Sequence, residues 1–294
     1  MTMFRNLTIF RALGMAAITD AAAQPLRFTP CAAHEDRSLG WTPPREFEHG
    51  SLVETVGEHT ILTVTLERKR VPGDALRRAL DDRCRAIQDQ EGFKPGRKRR
   101  QQLKDDIRTE MLAHAIPTRT AVRVWIDRDA GMLAVGATGS TCDDVVTLLV
   151  RSFDGLALSF LMTVDDPQKR MSGWLAEQGG DDRFLVGRDA DLVSLGAASV
   201  RLRDRDLYGS HAADLLAQGM RVSRLELHHE AASFLLAPTL ELRRIRVDVP
   251  KVPREEGEDA FDGDVTIECG ALRAVIRDLV AAFGGAIQGE AADA

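Results

Sequence analysis

Apolar positions along this chain recur with two different periods, and each period predicts its own kind of element. Strict alternation over β-branched residues predicts strands. Strands are expected over residues 3–12, His59 to Lys69 (HTILTVTLERK), Thr120 to Asp127, Gly131 to Ala137, Leu156 to Val164, Val200 to Leu207, where the alternation is strict, Met220 to His228 and Leu240 to Val249. The turn Arg128-Asp129-Ala130-Gly131 between two of these reads as a hairpin. Helical spacing appears at Leu76, Leu80, Cys84 and Ile87, just after Pro72-Gly73-Asp74, and again at Leu103, Ile107, Met111 and Ala115, where Pro117 stops it. Further helices are expected from Thr19 to Leu26, from Cys142 to Phe153 under a Ser140 or Thr141 cap, and from Pro167 to Gln178. A Ser210-capped helix to Gln218 and a closing helix from Val265 to Phe283, ended by Gly284-Gly285, complete the set.

Prolines and glycine around Phe28-Thr29-Pro30-Cys31 and Gly40-Trp41-Thr42-Pro43-Pro44 predict irregular structure, and an acidic loop is expected over 250–263. Strands that do not alternate regularly with helices give an α+β class with antiparallel sheets. The expected division is an N-terminal and central region (1–71 and 118–180), a helical arm (72–117) and a C-terminal region (181–294), with the boundary at Gly179-Gly180-Asp181-Asp182.

Charge changes the picture at the middle of the arm. Its two amphipathic helices, joined by a turn with Gly and Pro, read as an αα-hairpin roughly 24 Å long. From Gly92 to Lys104 the sequence GFKPGRKRRQQLK holds Lys94, Arg97, Lys98, Arg99, Arg100 and Lys104 and no acid. The whole chain carries −6, so everything outside this stretch carries about −12. Most charge runs are solvated turns. An acidic protein that gathers its cations at one helical tip is arranged to meet a polyanion there.

The remaining chemistry is sparse. Cys31, Cys84, Cys142 and Cys269 are scattered without a CxxC pair or a histidine at ligand spacing, so they read as small core residues in a reducing cytoplasm, with no metal and no cofactor. The apolar start broken by Arg11 imitates a leader but reads better as a strand, and no apolar run reaches membrane-spanning length. No phosphate loop, GxGxxG, GxSxG or HExxH is present. The acidic pairs Asp81-Asp82, Asp105-Asp106, Asp143-Asp144, Asp165-Asp166 and Asp181-Asp182 read as solvated acids, because neighbours on a helix point apart and chelate poorly. His228-His229 reads as one inward and one outward residue, and Trp125 and Trp174 as core. The expectation is a protein that is not an enzyme.

The order of motifs resembles the recombination-associated RdgC family. The matching features are MFRNLTIFR at the start, Phe28-Thr29-Pro30-Cys31 before Gly40-Trp41, and Lys69 and Pro72 ahead of a long helix. The basic segment ending at Ile116-Pro117, Trp125-Ile126-Asp127 with Gly131, Arg201 to Leu207, and Phe261, Asp264, Leu279, Phe283, Gly284 and Gly285 follow in the same order. The resemblance implies a crescent-shaped α+β protomer that pairs at both ends into a ring-shaped homodimer around double-stranded DNA. It implies binding with little sequence preference, restraint of RecA-promoted strand exchange, a nucleoid setting and no catalysis. The family's basic segment carries over onto Lys94, Arg97, Lys98, Arg99, Arg100 and Lys104, and a second element onto Arg201, Arg203 and Arg205, where Asp204 and Asp206 weaken it. The family's aromatic DNA finger has no counterpart in the short link Thr118 to Val124, so a bending wedge is not expected; Arg119 is the candidate phosphate contact there. Two other readings stay open: a protein-interaction module whose basic arm docks an acidic partner, and an RNA binder, which the scarcity of aromatics disfavours.

Overall fold

A computed structural model describes residues 3–45, 49–177, 179–196, 198–248 and 258–287. In chain order the elements begin with β1 (Asn6–Leu13), α1 (Asp20–Ala23), β2 (Arg37–Thr42), β3 (Val53–Val56) and β4 (His59–Lys69). Helices α2 (Gly73–Glu91) and α3 (Arg97–Ala113) precede β5 (Pro117–Asp127), β6 (Met132–Val135), α4 (Ser140–Ser152), β7 (Ala157–Phe160) and α5 (Pro167–Ala176). The chain continues through β8 (Leu185–Val193), β9 (Ser199–Leu202), α6 (Ser210–Ala217), β10 (Arg221–His228), β11 (Ala232–Leu236), β12 (Leu242–Val247) and α7 (Glu258–Ala282). The α+β class is therefore observed, with antiparallel pairing in every strand ladder described.

The chain divides into two compact units. One comprises 1–23, 43–62 and 123–294; the other comprises 24–42 and 63–122. In the larger unit the strands run in the order β9-β8-β10-β11-β12-β1-β6, and β7 also pairs with β1. Its core is continuous through Leu7, Ile9, Trp125, Ala190, Leu225, Leu236 and Leu242, all fully or nearly fully buried. Helix α7 adds Val265, Cys269, Leu272, Val275, Ile276 and Leu279, which recur at helical spacing and so share one face. It stops at two glycines in the left-handed region, φ 78° and 96°. The Gly285 amide donates to Val280 O at 2.8 Å and that of Gly284 to Ala281 O at 3.2 Å, a Schellman cap.

In the smaller unit β2 pairs with β4 from Arg37↔Arg68 to Thr42↔Thr63. Trp41, Val64, Leu66, Leu80, Ile107, Leu112 and Val122 are buried there. Strand β2 corrects the irregular structure expected around Gly40-Trp41. A Cβ on Gly40 would lie 2.5 Å from the Phe28 Cα, so glycine lets this strand run close beside residues 27–28. The Phe28 amide then donates to Trp41 O at 2.9 Å.

Other expectations are corrected too. The strand expected over Val200–Leu207 ends at Leu202, because Asp204 takes φ 48° and Asp189 accepts its amide at 2.9 Å. Neither Ser140 nor Thr141 caps α4, and α6 begins at Ser210 itself; Gly139 and Gly209 are the N-caps. Strands β3, β8 and β11 lie where no alternation was found. Helix α7 starts at Glu258, inside the expected acidic loop, and residues 249–257 of that loop lie outside the described residues.

Candidate nucleic-acid interface

The turn from α2 to α3 is set by two glycines. Gly92 closes α2 in the left-handed region with its amide on Gln88 O at 2.8 Å. Gly96 is the N-cap of α3, extended at φ −65° and ψ 167°, with no side chain to cap the helix. The helix then opens on Arg97, Lys98, Arg99 and Arg100, with no acid in its first turn. A helix N-terminus carries partial positive charge, so each cation placed there costs roughly 0.3–1 kcal/mol. This run works against the helix it belongs to, and a bound anion would offset the cost.

All six cations from Lys94 to Lys104 are exposed, and they fall into two groups. Arg99 grips Glu91 through both amino groups at 2.6 and 2.7 Å, and this hydrogen bonding holds the Glu91 carboxyl below the usual range. Arg100 reaches Asp81 on α2 at 2.7 Å. Among the described residues, Lys94, Arg97, Lys98 and Lys104 have no ion-pair partner. Arg97, Arg100 and Lys104 line one groove of about 460 Å³ together with Leu76, Leu80 and Arg77. Arg77 stands outside the uninterrupted cationic run and pairs with Asp74 at 3.3 Å.

The other candidate residues stand differently. Arg119 is committed to a structural contact: its Nε donates to Glu67 at 2.6 Å and its guanidinium lies 5.4 Å from the Phe28 ring centroid. Glu67 also accepts the Cys31 amide at 2.8 Å, and these bonds, led by Arg119, hold its carboxyl below the ordinary range. Residues Thr118 to Val124, expected as a link, are part of β5. Arg201, Arg203 and Arg205 belong to the other compact unit. Arg203 is drawn onto Asp191 at 2.6 Å, whereas Arg201 and Arg205 are exposed.

The acids and the histidine pair have local roles. Asp166 caps α5 by accepting from the Gln168 and Lys169 amides, and Asp81 pairs with Arg100. His229 is buried against Asp278, 3.1 Å away, while His228 is exposed. Trp125 and Trp174 are core, and Trp125 donates to His59 Nδ1 at 3.2 Å. Cys142 and Cys269 are buried, whereas Cys31 and Cys84 are only half-buried. Burial pushes the Cys142 thiol up to about 11. Among the described residues, no group of three or more His, Cys, Asp or Glu is placed to hold a metal ion. No helix among them is long and apolar enough to cross a membrane.

Comparison with known proteins bears on the whole chain. The family profile described as "Putative exonuclease, RdgC" matches residues 2–286. The chain is 33% identical to the recombination-associated protein RdgC of Herminiimonas arsenicoxydans, over 96% of this chain and 98% of that one. It is 31% identical to the protein of that name from Janthinobacterium sp. (strain Marseille), over 97% and 99%. The Bordetella pertussis protein is 30% identical, over 96% and 98%.

Proposed function

The chain belongs to the RdgC family, and from that membership and the exposed cations of the α2–α3 turn we propose that it binds double-stranded DNA without reading its sequence. On this reading two copies form a ring around the duplex and limit RecA-promoted recombination at the nucleoid. The observation that carries it is the set Lys94, Arg97, Lys98 and Lys104, exposed and without ion-pair partners among the described residues, on and beside a helix start whose first turn carries no acid. Flexible cations on a helical turn suit phosphate oxygens, which position a protein on DNA but carry no sequence information. Arginine's fork adds bidentate contacts to the same oxygens.

Two competing readings make different predictions. An interaction module would bind an acidic protein partner through the same cations and ignore duplex DNA. A nuclease, which the family description suggests, would shorten DNA from an end. The experiment is an electrophoretic shift with duplex DNA, single-stranded DNA and RNA side by side at low salt, with the end-labelled duplex re-examined after incubation with Mg²⁺ or Mn²⁺. Retarded, full-length duplex is the expected result. No duplex binding ends the DNA reading, and progressive shortening replaces it with the nuclease.

A further inference from the structure

The larger unit holds a cavity of about 320 Å³ on the solvent face of its sheet, floored by Leu235. Two irregularities of the strands meet there. Between Ser233 and Leu235 the pairing of β11 with β12 slips by one residue, and Arg244, within the slip, takes φ 53°. That conformation is costly for a residue with a Cβ. Against β10, strand β8 carries two extra residues between Val186 and Ala190. The Glu226 carboxylate closes this bulge by accepting the Arg188 and Asp189 amides at 2.8 and 3.0 Å. Gly187 makes room for it, since a Cβ there would lie 2.6 Å from the Glu226 Cγ. Bulges re-aim side chains and are over-represented beside functional sites.

The acids of the cavity are engaged by the fold itself. Asp189 accepts from the Asp204 amide at 2.9 Å and from Arg244 at 2.8 Å, and Asp204 pairs with Arg188 at 2.7 Å. The donors stand differently. His228 on β10, Ser233 on β11 and Arg246 on β12 lie directly opposite one another in register. Opposed residues bring their Cβ atoms about 4.5–5.5 Å apart, so the three side chains form one short row. All three line the cavity, and among the described residues none has a side-chain hydrogen bond or ion pair. A half-buried hydroxyl between an imidazole and a guanidinium makes a converging set of donors without an acceptor.

We propose that this cavity binds a single compact phosphoryl group, as inorganic phosphate or as a phosphate monoester. Arg246 gives a bidentate contact to two of its oxygens, the geometry a guanidinium fork suits best. The Ser233 hydroxyl and a ring N–H of His228 donate to the remaining oxygens. Arg244, fixed on Asp189, adds positive charge at the wall. An extended polyanion fits the place poorly. Asp189, Asp204 and Glu226 line the same cavity and repel the neighbouring phosphates of a nucleic-acid backbone, whereas one small group seats on the free donors alone. Phosphate binding here does not depend on duplex binding at the α2–α3 turn.

The test is calorimetric titration of the full chain with inorganic phosphate at neutral pH and constant ionic strength. Saturable binding is expected in the parent. Arg246→Gln should weaken it roughly tenfold or more, since hydrogen bonds between charged groups are the stronger class. Ser233→Ala should weaken it several-fold, and Ser233→Asp, which sets a carboxylate among the donors, should abolish it. Arg246 is exposed and has no partner among the described residues, so Arg246→Gln should melt with the parent. The exposed cations of the α2–α3 turn also attract phosphate, so Lys98→Ala is the control and should bind it as the parent does. No saturable binding in the parent, or unchanged binding in Arg246→Gln, overturns the proposal. Equal losses in Lys98→Ala and Arg246→Gln overturn it as well. Duplexes of one sequence with phosphorylated or unphosphorylated ends then identify the source of the group. If Arg246→Gln weakens only the phosphorylated duplex, the ligand is a nucleic-acid end. If it weakens neither while phosphate binding is lost, the ligand is free phosphate or a small ester. Equal weakening of both would mean that backbone phosphates occupy the cavity, and the proposal would fall while duplex binding stood.

Discussion

Lys98 and Arg99 are neighbours in the first turn of α3, yet their charges are engaged differently. Arg99 is already held by both oxygens of Glu91, while Lys98 has no ion-pair partner among the described residues. Lys98→Ala should therefore remove one phosphate contact per protomer and two per dimer, making the slope of log affinity against log salt shallower by about 2. Arg99→Ala should change that slope by less than half as much. Glu91→Gln, which releases Arg99, should steepen it. Salt titrations of the three variants on one duplex decide the matter, and equal slopes for Lys98→Ala and Arg99→Ala would contradict the assignment.

A second residue sets a pH response. His59 is buried and accepts from the Trp125 indole, and burial, helped by Arg273, depresses its proton affinity. The unfolded chain therefore takes up a proton in the ordinary histidine range that the folded chain refuses. The sign follows: stability is held above that range and falls as pH drops through it. Glu67 and Asp278, with depressed carboxyls, act in the same direction at lower pH. The urea midpoint should decline between about pH 7.5 and 5.5 in the parent, across the ordinary histidine range, and His59→Gln should flatten that decline. A parallel decline in both would place the effect elsewhere.

At the scale of elements, α3 sets folding against the proposed binding. Gly96 leaves its N-terminus uncapped and four cations crowd its first turn. The extended backbone of Gly96 accommodates an aspartate, and a Cβ there meets nothing within 4 Å. Gly96→Asp should add a cap and a favourable dipole interaction, stabilising the protein by about 0.5–1 kcal/mol. The same carboxylate should weaken duplex binding several-fold. Thermal melts and binding isotherms on one preparation check both signs, and a variant that gains stability and affinity together would remove the argument for anion binding at this helix start.

Elements whose periodicity was undisturbed were legible in the sequence. Strand β4 spans His59–Lys69 as read, and α2 begins right after Pro72. What was not legible depended on contacts distant in sequence. Strand β2 is hidden by a glycine whose purpose emerges only when Phe28 lies against it. Strand β8 is irregular against β10, with register shifts between Val222 and Arg224 and between Leu225 and Leu227, so its alternation is broken. At the site, the cationic run was plain, but its division was not. Nothing in the sequence indicates that Glu91 claims Arg99, that Asp81 claims Arg100, or that Glu67 claims Arg119.

For the whole molecule, the proposed function requires contacts to phosphates and none to bases. Unrelated duplexes of equal length and equal salt should compete within a few-fold of one another, because contacts to phosphate oxygens carry no sequence information. A hundredfold preference for one sequence would mean that some element enters a groove.

The most direct measurement of the central claim is the salt dependence of duplex affinity for the parent chain. Four cations per protomer are without ion-pair partners among the described residues, Lys94, Arg97, Lys98 and Lys104, which makes eight in the proposed dimer. At about −0.9 per neutralised phosphate in B-form DNA, full engagement gives a slope near −7. Titration from low to physiological salt should return a value of about −6 to −7, and one close to half that in a protein with Lys94, Arg97, Lys98 and Lys104 reduced to two cations. A slope shallower than about −2 in the parent, or one unmoved when these cations are replaced, would show that the α2–α3 turn does not meet the phosphate backbone.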